Sequence, residues 1–242
     1  MKVLHIFLLL LFFISCKKEK SVFEITLETA NKDLVHELKN QQNLNPYGLV
    51  FQDEQYEVWS TCSGEWGGTI YFKNKKTKKI HYASSACAVS VNKLNNKYYV
   101  SNSLSHLYGN SNILEISNPE KMKSVSKLPV FHPNIQTIEH EIDSNLGTKA
   151  IIDSSGVLIA KSFVYRNKLY TILTDIQGNK TTISEIRNNK FQTIEEFPEK
   201  LFYDEPLIFK QSNNNQKLYF QNPKNGTLEI TDNHLKITYY KK

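Results

Sequence analysis

Lys97-Tyr98-Tyr99-Val100-Ser101 decides the fold, because the chain repeats it. Gln55-Tyr56-Glu57-Val58-Trp59, Lys168-Leu169-Tyr170-Thr171-Ile172 and Lys217-Leu218-Tyr219-Phe220-Gln221 carry the same early tyrosine in a β-branched and aromatic run. Lys97, Lys168 and Lys217 each follow an Asn-containing turn. Runs of this kind, bounded by Asn, Gly and Lys, read as strands. Each is preceded by a strand and followed by a loop, a third strand, a polar turn and a fourth strand. Third strands are predicted over 69–73, 112–117, 180–187 and 227–231. Fourth strands are predicted over 79–83, 122–127, 191–196 and 235–240.

Four antiparallel strands returning at a period of roughly 40–50 residues resemble a β-propeller repeat. The middle step, Lys97 to Lys168, is the longest, and its surplus falls over 130–150, an insertion or a worn blade. No Gly-His…Trp-Asp or kelch signature names a subfamily. The expected fold class is all-β, a small β-propeller-like repeat of four to five antiparallel blades. A strand at Val22–Leu27 is expected to pair into the last blade. A two-sheet β-sandwich is the alternative. One short helix is predicted over 31–41, with Asn31 as its cap and Leu34, Val35 and Leu38 on one face. Asn43-Leu44-Asn45-Pro46 ends it.

The first residues give an address. After Met1-Lys2-Val3 the chain is apolar from Ile6 to Ile14, too short to span a bilayer and of signal-peptide proportions. Phe13-Ile14-Ser15-Cys16 resembles the lipobox of bacterial lipoproteins, with Phe13 standing where leucine is usual. The resemblance implies cleavage before Cys16 and acylation of its thiol. Lys17-Lys18-Glu19-Lys20 resembles the surface-export signals of Bacteroidota lipoproteins, and no Asp follows Cys16 to signal inner-membrane retention. The same four charges also read as a plain solvated tether. The implied localisation is the cell envelope, lipid-anchored, at the outer membrane. The implied organisation is a signal peptide over 1–15, a tether and short helix over 16–46, and the repeat domain over 47–242.

Composition limits the rest. The chain has 242 residues, 40% hydrophobic and 22% charged, an ordinary globular balance that argues against wholesale disorder. It lacks a Walker loop, GxGxxG, HExxH and CxxC, so nucleotide-dependent and zinc-protease chemistry lose their usual sequence support. No cofactor and no metal is expected. The net charge is +6, but Arg166 and Arg187 are the only arginines, and lysine is the weaker residue for bidentate phosphate and base contacts. No nucleic-acid partner is expected; the lipid bilayer through Cys16, and a glycan or a protein, are. With Cys16 acylated, Cys62 and Cys87 remain, and an even remainder outside the cytoplasm favours a disulfide.

In a propeller, second-to-third strand loops and blade-to-blade connections share one face. Here these are 62–68, 103–111, 175–180 and 222–226, with 83–88, 130–150 and 198–206. Three of the nine glycines and both tryptophans lie between Trp59 and Gly68. Glu65 and Trp66 there offer a carboxylate and an indole suited to a sugar or a cation. The plainer reading is a hairpin pinned by a disulfide, with Trp66 filling a loop core. His106 and Tyr108 sit in the second loop, and Tyr203, Asp204 and Glu205 in the third connection. His132 and His140, the latter between Glu139 and Glu141, have no diagnostic metal spacing. Nothing here demands chemistry. The expected function is a non-catalytic binding or interaction module, and the alternative is a carbohydrate-active hydrolase or lyase using Glu65 with Asp204 or Glu205.

Overall fold

The computed structural model describes residues 21–33, 48–131, 141–202, 207–208, 216–220 and 224–241. It is 62% strand and 3% helix, and the strands form four sheets. The first holds β2 (Gly48–Gln52), β3 (Tyr56–Ser60), β4 (Thr69–Asn74) and β5 (Ile80–Ser84), and the second holds β6 (Ala88–Leu94), β7 (Lys97–Leu104), β8 (Asn110–Ile116) and β10 (Lys149–Ser155). The third is β11 (Val157–Tyr165), β12 (Lys168–Asp175), β13 (Thr181–Arg187) and β14 (Lys190–Glu196), and the fourth is β15 (Leu207–Ile208), β16 (Gln216–Phe220), β17 (Gly226–Thr231) and β18 (His234–Lys241). Each is an antiparallel meander in chain order, the blade-like design expected from the repeat. The four tyrosine-bearing segments are β3, β7, β12 and β16.

Two outer edges receive an extra strand. β1 (Glu24–Asp33) runs parallel to β18, from Glu24 opposite His234 to Asp33 opposite Lys241. β9 (Lys123–Val125) pairs with β5. On the outer edges of β10 and β14 no described strand sits. Both carry a bulge, near Ile151 and near Ile194, which bends a strand away from edge-to-edge pairing.

These strands correct three expectations. Asn31 lies in β1, not at a helix cap: β1 pairs with β18 on both sides of it, Ala30 opposite Tyr240 and Asp33 opposite Lys241, and that tertiary pairing overrides a local helix signal that a short segment would have to sustain alone. Residues 34–41, the rest of that predicted helix, lie outside the described residues. The run 122–127 does not complete the second sheet, because β9 covers β5 of the first sheet instead, and β10 completes the second. The stretch 130–150 is therefore part of an excursion between β8 and β10, not a blade connection. The connection from the second sheet to the third is Gly156 alone, at φ 84°.

Three apolar seams stack the sheets in chain order. Val58, Ile70 and Phe72 pack with Val91, Tyr98 and Val100 between the first and second. Ile113 and Ile152 pack with Ile159, Leu169 and Leu173 between the second and third. Phe163, Ile172 and Ile183 pack with Leu218, Leu228 and Ile237 between the third and fourth, and Phe23 joins them edge-on to Tyr170 at 4.9 Å. β12 serves two seams at once, Tyr170 and Ile172 on one side and Leu169 and Leu173 on the other, so it is buried without a break from Leu169 to Thr174.

The sheets turn differently at their two ends. At one end β6–β7, β11–β12 and β13–β14 reverse through Asn95-Asn96, Arg166-Asn167 and Asn188-Asn189, both residues at positive φ each time. These are two-residue turns of the type whose twist matches that of the strands. Asp53, in the β2–β3 turn, clips this end together. Its carboxylate accepts from the Tyr98 hydroxyl at 2.7 Å, from Lys93 Nζ at 2.6 Å and from the backbone N–H of Tyr56 and Gln55. Burial alone would raise the Asp53 carboxyl, but these donors outweigh it and hold it at about 2. The opposite end carries the long loops.

One buried cation lies between the two ends. Lys161, on β11, is fully buried, and its Nζ has no hydrogen-bond partner among the described residues. Burial pushes its ammonium down to about 7.

Candidate functional site

The long-loop end is laced across the sheets. Cys62 and Cys87 form a disulfide with Cα atoms 4.9 Å apart, joining the β3–β4 loop to the β5–β6 connection. The loop closes on itself through Ser63 N–H to the Gly67 carbonyl at 2.6 Å and Gly67 N–H to the Gly64 carbonyl at 2.9 Å. Gly68 is required here, because a side chain at that position would strike the Thr61 carbonyl. Its own carbonyl accepts from Ser85 N–H at 2.9 Å, and the Cys87 carbonyl accepts from Ser103 N–H at 3.0 Å. Glu141 N–H reaches the Thr69 hydroxyl at 3.1 Å, and Ser144 N–H reaches the Ser84 hydroxyl at 2.8 Å. The excursion between β8 and β10 thus returns to this end, although it is not a blade connection.

The lacing continues to the third sheet. Gly109 N–H closes its loop on the His106 carbonyl, Gly156 N–H donates to the Gly109 carbonyl, and Ile176 N–H donates to the Gly156 carbonyl. Gly109 stands at φ 69°, and a side chain there would collide with Ile176. Lys200 Nζ, buried, donates to the carbonyls of Asp175 and Gly178, each at 2.7 Å. A buried ammonium held by these carbonyls fixes the β12–β13 loop.

On this frame two loops meet through their side chains. His106 Nε2 lies 3.2 Å from Glu65 Oε2, and both groups are about half exposed. Each is followed in sequence by apolar side chains left in solvent: Trp66 is 75% exposed, Leu107 78% and Tyr108 71%. Trp66 therefore does not fill a loop core. Glu65 and Trp66 belong to a single turn of 3-10 helix, Gly64–Trp66, that the flanking glycines and the disulfide hold in place. Leu107 stands at φ 55°, a conformation that costs a non-glycine residue on the order of 1 kcal/mol. Strain is thus spent on presenting a leucine to water.

The four predicted residues Glu65, Trp66, His106 and Tyr108 fall on these two loops. Tyr203, Asp204 and Glu205 lie outside the described residues, as do Cys16, His132 and His140. Leu107 went unread in the sequence, although its place between His106 and Tyr108 was the available signal. Among the described residues no group of three or more His, Cys, Asp or Glu side chains converges to hold a metal. No helix among them is long and apolar enough to cross a membrane. The arrangement can stack a flat apolar face on Trp66 or Tyr108 and offer a carboxylate and an imidazole beside it. No protein-family model matches the chain, and neither curated proteins nor solved structures give a match.

Proposed function

We propose that the chain is an extracytoplasmic lipoprotein, held at the outer membrane through an acylated Cys16, whose blade-like domain is a non-catalytic binding or interaction module. The observation that carries the reading is the solvent-exposed trio Trp66, Leu107 and Tyr108 around the Glu65–His106 pair. Exposed apolar side chains gathered on one surface mark interaction sites on soluble domains. Aromatic anchors on rigid loops bind at low entropic cost, and these loops are fastened by a disulfide and by backbone hydrogen bonds. The anchor is consistent with the fold: β1 starts at Glu24, so only a short tether separates Cys16 from the first strand.

Two measurements test the proposal. Cys16→Ala is expected to abolish incorporation of labelled palmitate, and unchanged incorporation contradicts the anchor. Fluorescently labelled protein is expected to bind intact cells that lack the native copy, saturably. The Trp66→Ala/Tyr108→Ala double variant is expected to lose that binding while keeping its melting temperature. Equal binding by the two proteins contradicts the assignment of the surface.

A further inference from the structure

A row of hydroxyls crosses the third sheet at one level. Ser162 stands opposite Thr171, Thr171 opposite Ser184, and Ser184 opposite Thr193. The inner part of the row is closed: Ser101 Oγ lies 2.7 Å from Ser162 Oγ, which lies 3.2 Å from Thr171 Oγ1. The next member breaks the pattern. Ser184 is fully buried, and its Oγ has no hydrogen-bond partner among the described residues. An unpaired buried hydroxyl costs about 1–3 kcal/mol, so a native fold that keeps one calls for an explanation.

Ser184 lines a cavity of about 440 Å³ between β10 of the second sheet and β12, β13 and β14 of the third. That volume lies within the range of small-molecule sites, about 300–1,000 Å³. Ile152 and Leu173 give it an apolar floor, and Phe191 gives it an aromatic wall. Asp153, Ser154, Thr182 and Thr193 also line it and add polar side chains to its rim. The lining charges balance, Asp153 and Asp175 against Lys180 and Lys190, and Lys180 is already paired with Glu196 at 2.9 Å. Nothing in this set selects an ion. Hydroxyls that both donate and accept, beside an aromatic ring and over an apolar floor, match a neutral polyhydroxylated ring.

We infer that this inter-sheet groove is a binding site for a neutral saccharide, with Ser184 and Thr193 meeting ring hydroxyls and Phe191 meeting a pyranose face. It shares no residue with the Glu65, Trp66, His106 and Tyr108 surface and stands independently of it. The test is titration calorimetry of the full-length chain with maltotriose, cellotriose, chitotriose and mannotriose. At least one is expected to bind. Thr193→Trp, which fills the groove mouth from an exposed position, is expected to weaken that binding at least tenfold, and Ser184→Ala several-fold. Trp66→Ala is expected to leave it unchanged. Silence from all four sugars overturns the inference, and so does binding that survives Thr193→Trp. Binding lost in Trp66→Ala but kept in Thr193→Trp also overturns it, and places the sugar on the loop end while sparing the proposed function.

Discussion

The two ends of the sheets solve the same problem, reversing a strand, in opposite ways. At the turn end, Asn95-Asn96, Arg166-Asn167 and Asn188-Asn189 complete the reversal in two residues and leave nothing to present. At the loop end, the β3–β4 connection spends a disulfide, two positive-φ glycines and a turn of 3-10 helix, and it leaves Trp66 in water. Short reversals minimise the chain that must be ordered. Longer ones need added links to stay rigid, and they place side chains where a ligand can reach them. The asymmetry separates reversals that only close the fold from connections that also expose side chains.

The largest expected effect belongs to neither end, and it serves as the control for both. Lys161→Met removes a buried, unpartnered ammonium from between the ends. The folded-state value of this group lies below its unfolded one, at about 7 against 10.5. The unfolded chain therefore binds more protons between those values, and stability rises with pH across that window. Below about 7 the burial cost is felt in full. Lys161→Met is expected to gain on the order of 3 kcal/mol at pH 6, with the gain shrinking toward pH 10. Urea denaturation at the two pH values reads it, and a loss of stability at both contradicts the account.

Breaking the Cys62–Cys87 bond comes next. Cys62→Ser/Cys87→Ser is expected to cost about 2–4 kcal/mol, by freeing the unfolded chain and loosening the loop end. Chemical denaturation measures it, and an unchanged midpoint shows that the hydrogen bonds at this end suffice alone. At the turn end the matching test is Asp53→Asn. Asp53 is held below its usual range, so its contribution is present above about pH 4 and is lost as pH falls through about 2. Asp53→Asn is expected to cost about 2 kcal/mol at pH 7 and to flatten the acid limb of stability. A wild-type acid profile in the variant removes Asp53 as the clip.

The smallest effect sharpens the comparison most. Leu107→Gly relieves positive φ at an exposed position, while Asn96→Ala imposes the same φ on an ordinary side chain at the turn end. The first is expected to stabilise by about 0.5 kcal/mol and the second to destabilise by about 1 kcal/mol. Paired melting curves read both. A leucine substitution that destabilises means the side chain packs where exposure says it does not.

The sequence carried the local part of this. Tyrosine-anchored runs at Tyr56, Tyr98, Tyr170 and Tyr219 are strands, because alternation and turn residues are local signals. The Cys62–Cys87 bond is legible for a similar reason, since the cysteine count leaves these two to pair. Partner choice was not legible. Met122–Lys127 reads as the fourth strand of the second unit, and only packing decides that β9 covers β5 while β10 joins β8. Asn31 shows the same limit, since a helix cap and an edge strand compete locally and β18 decides. The Glu65–His106 contact was expected only as a shared face. The row from Ser162 to Thr193 was invisible, because it exists only once strand register is fixed.

Amide hydrogen exchange of the oxidised and reduced protein tests most directly the claim that the two ends are built by separate means. Reduction of Cys62–Cys87 is expected to speed exchange at Ser63, Gly67, Ser85 and Ser103, whose N–H groups donate within the loop-end lacing. Protection of the strands flanking Asn95-Asn96, Arg166-Asn167 and Asn188-Asn189 is expected to stay as it was. A uniform rise at both ends contradicts the account, because the disulfide would then be holding the whole fold rather than one surface.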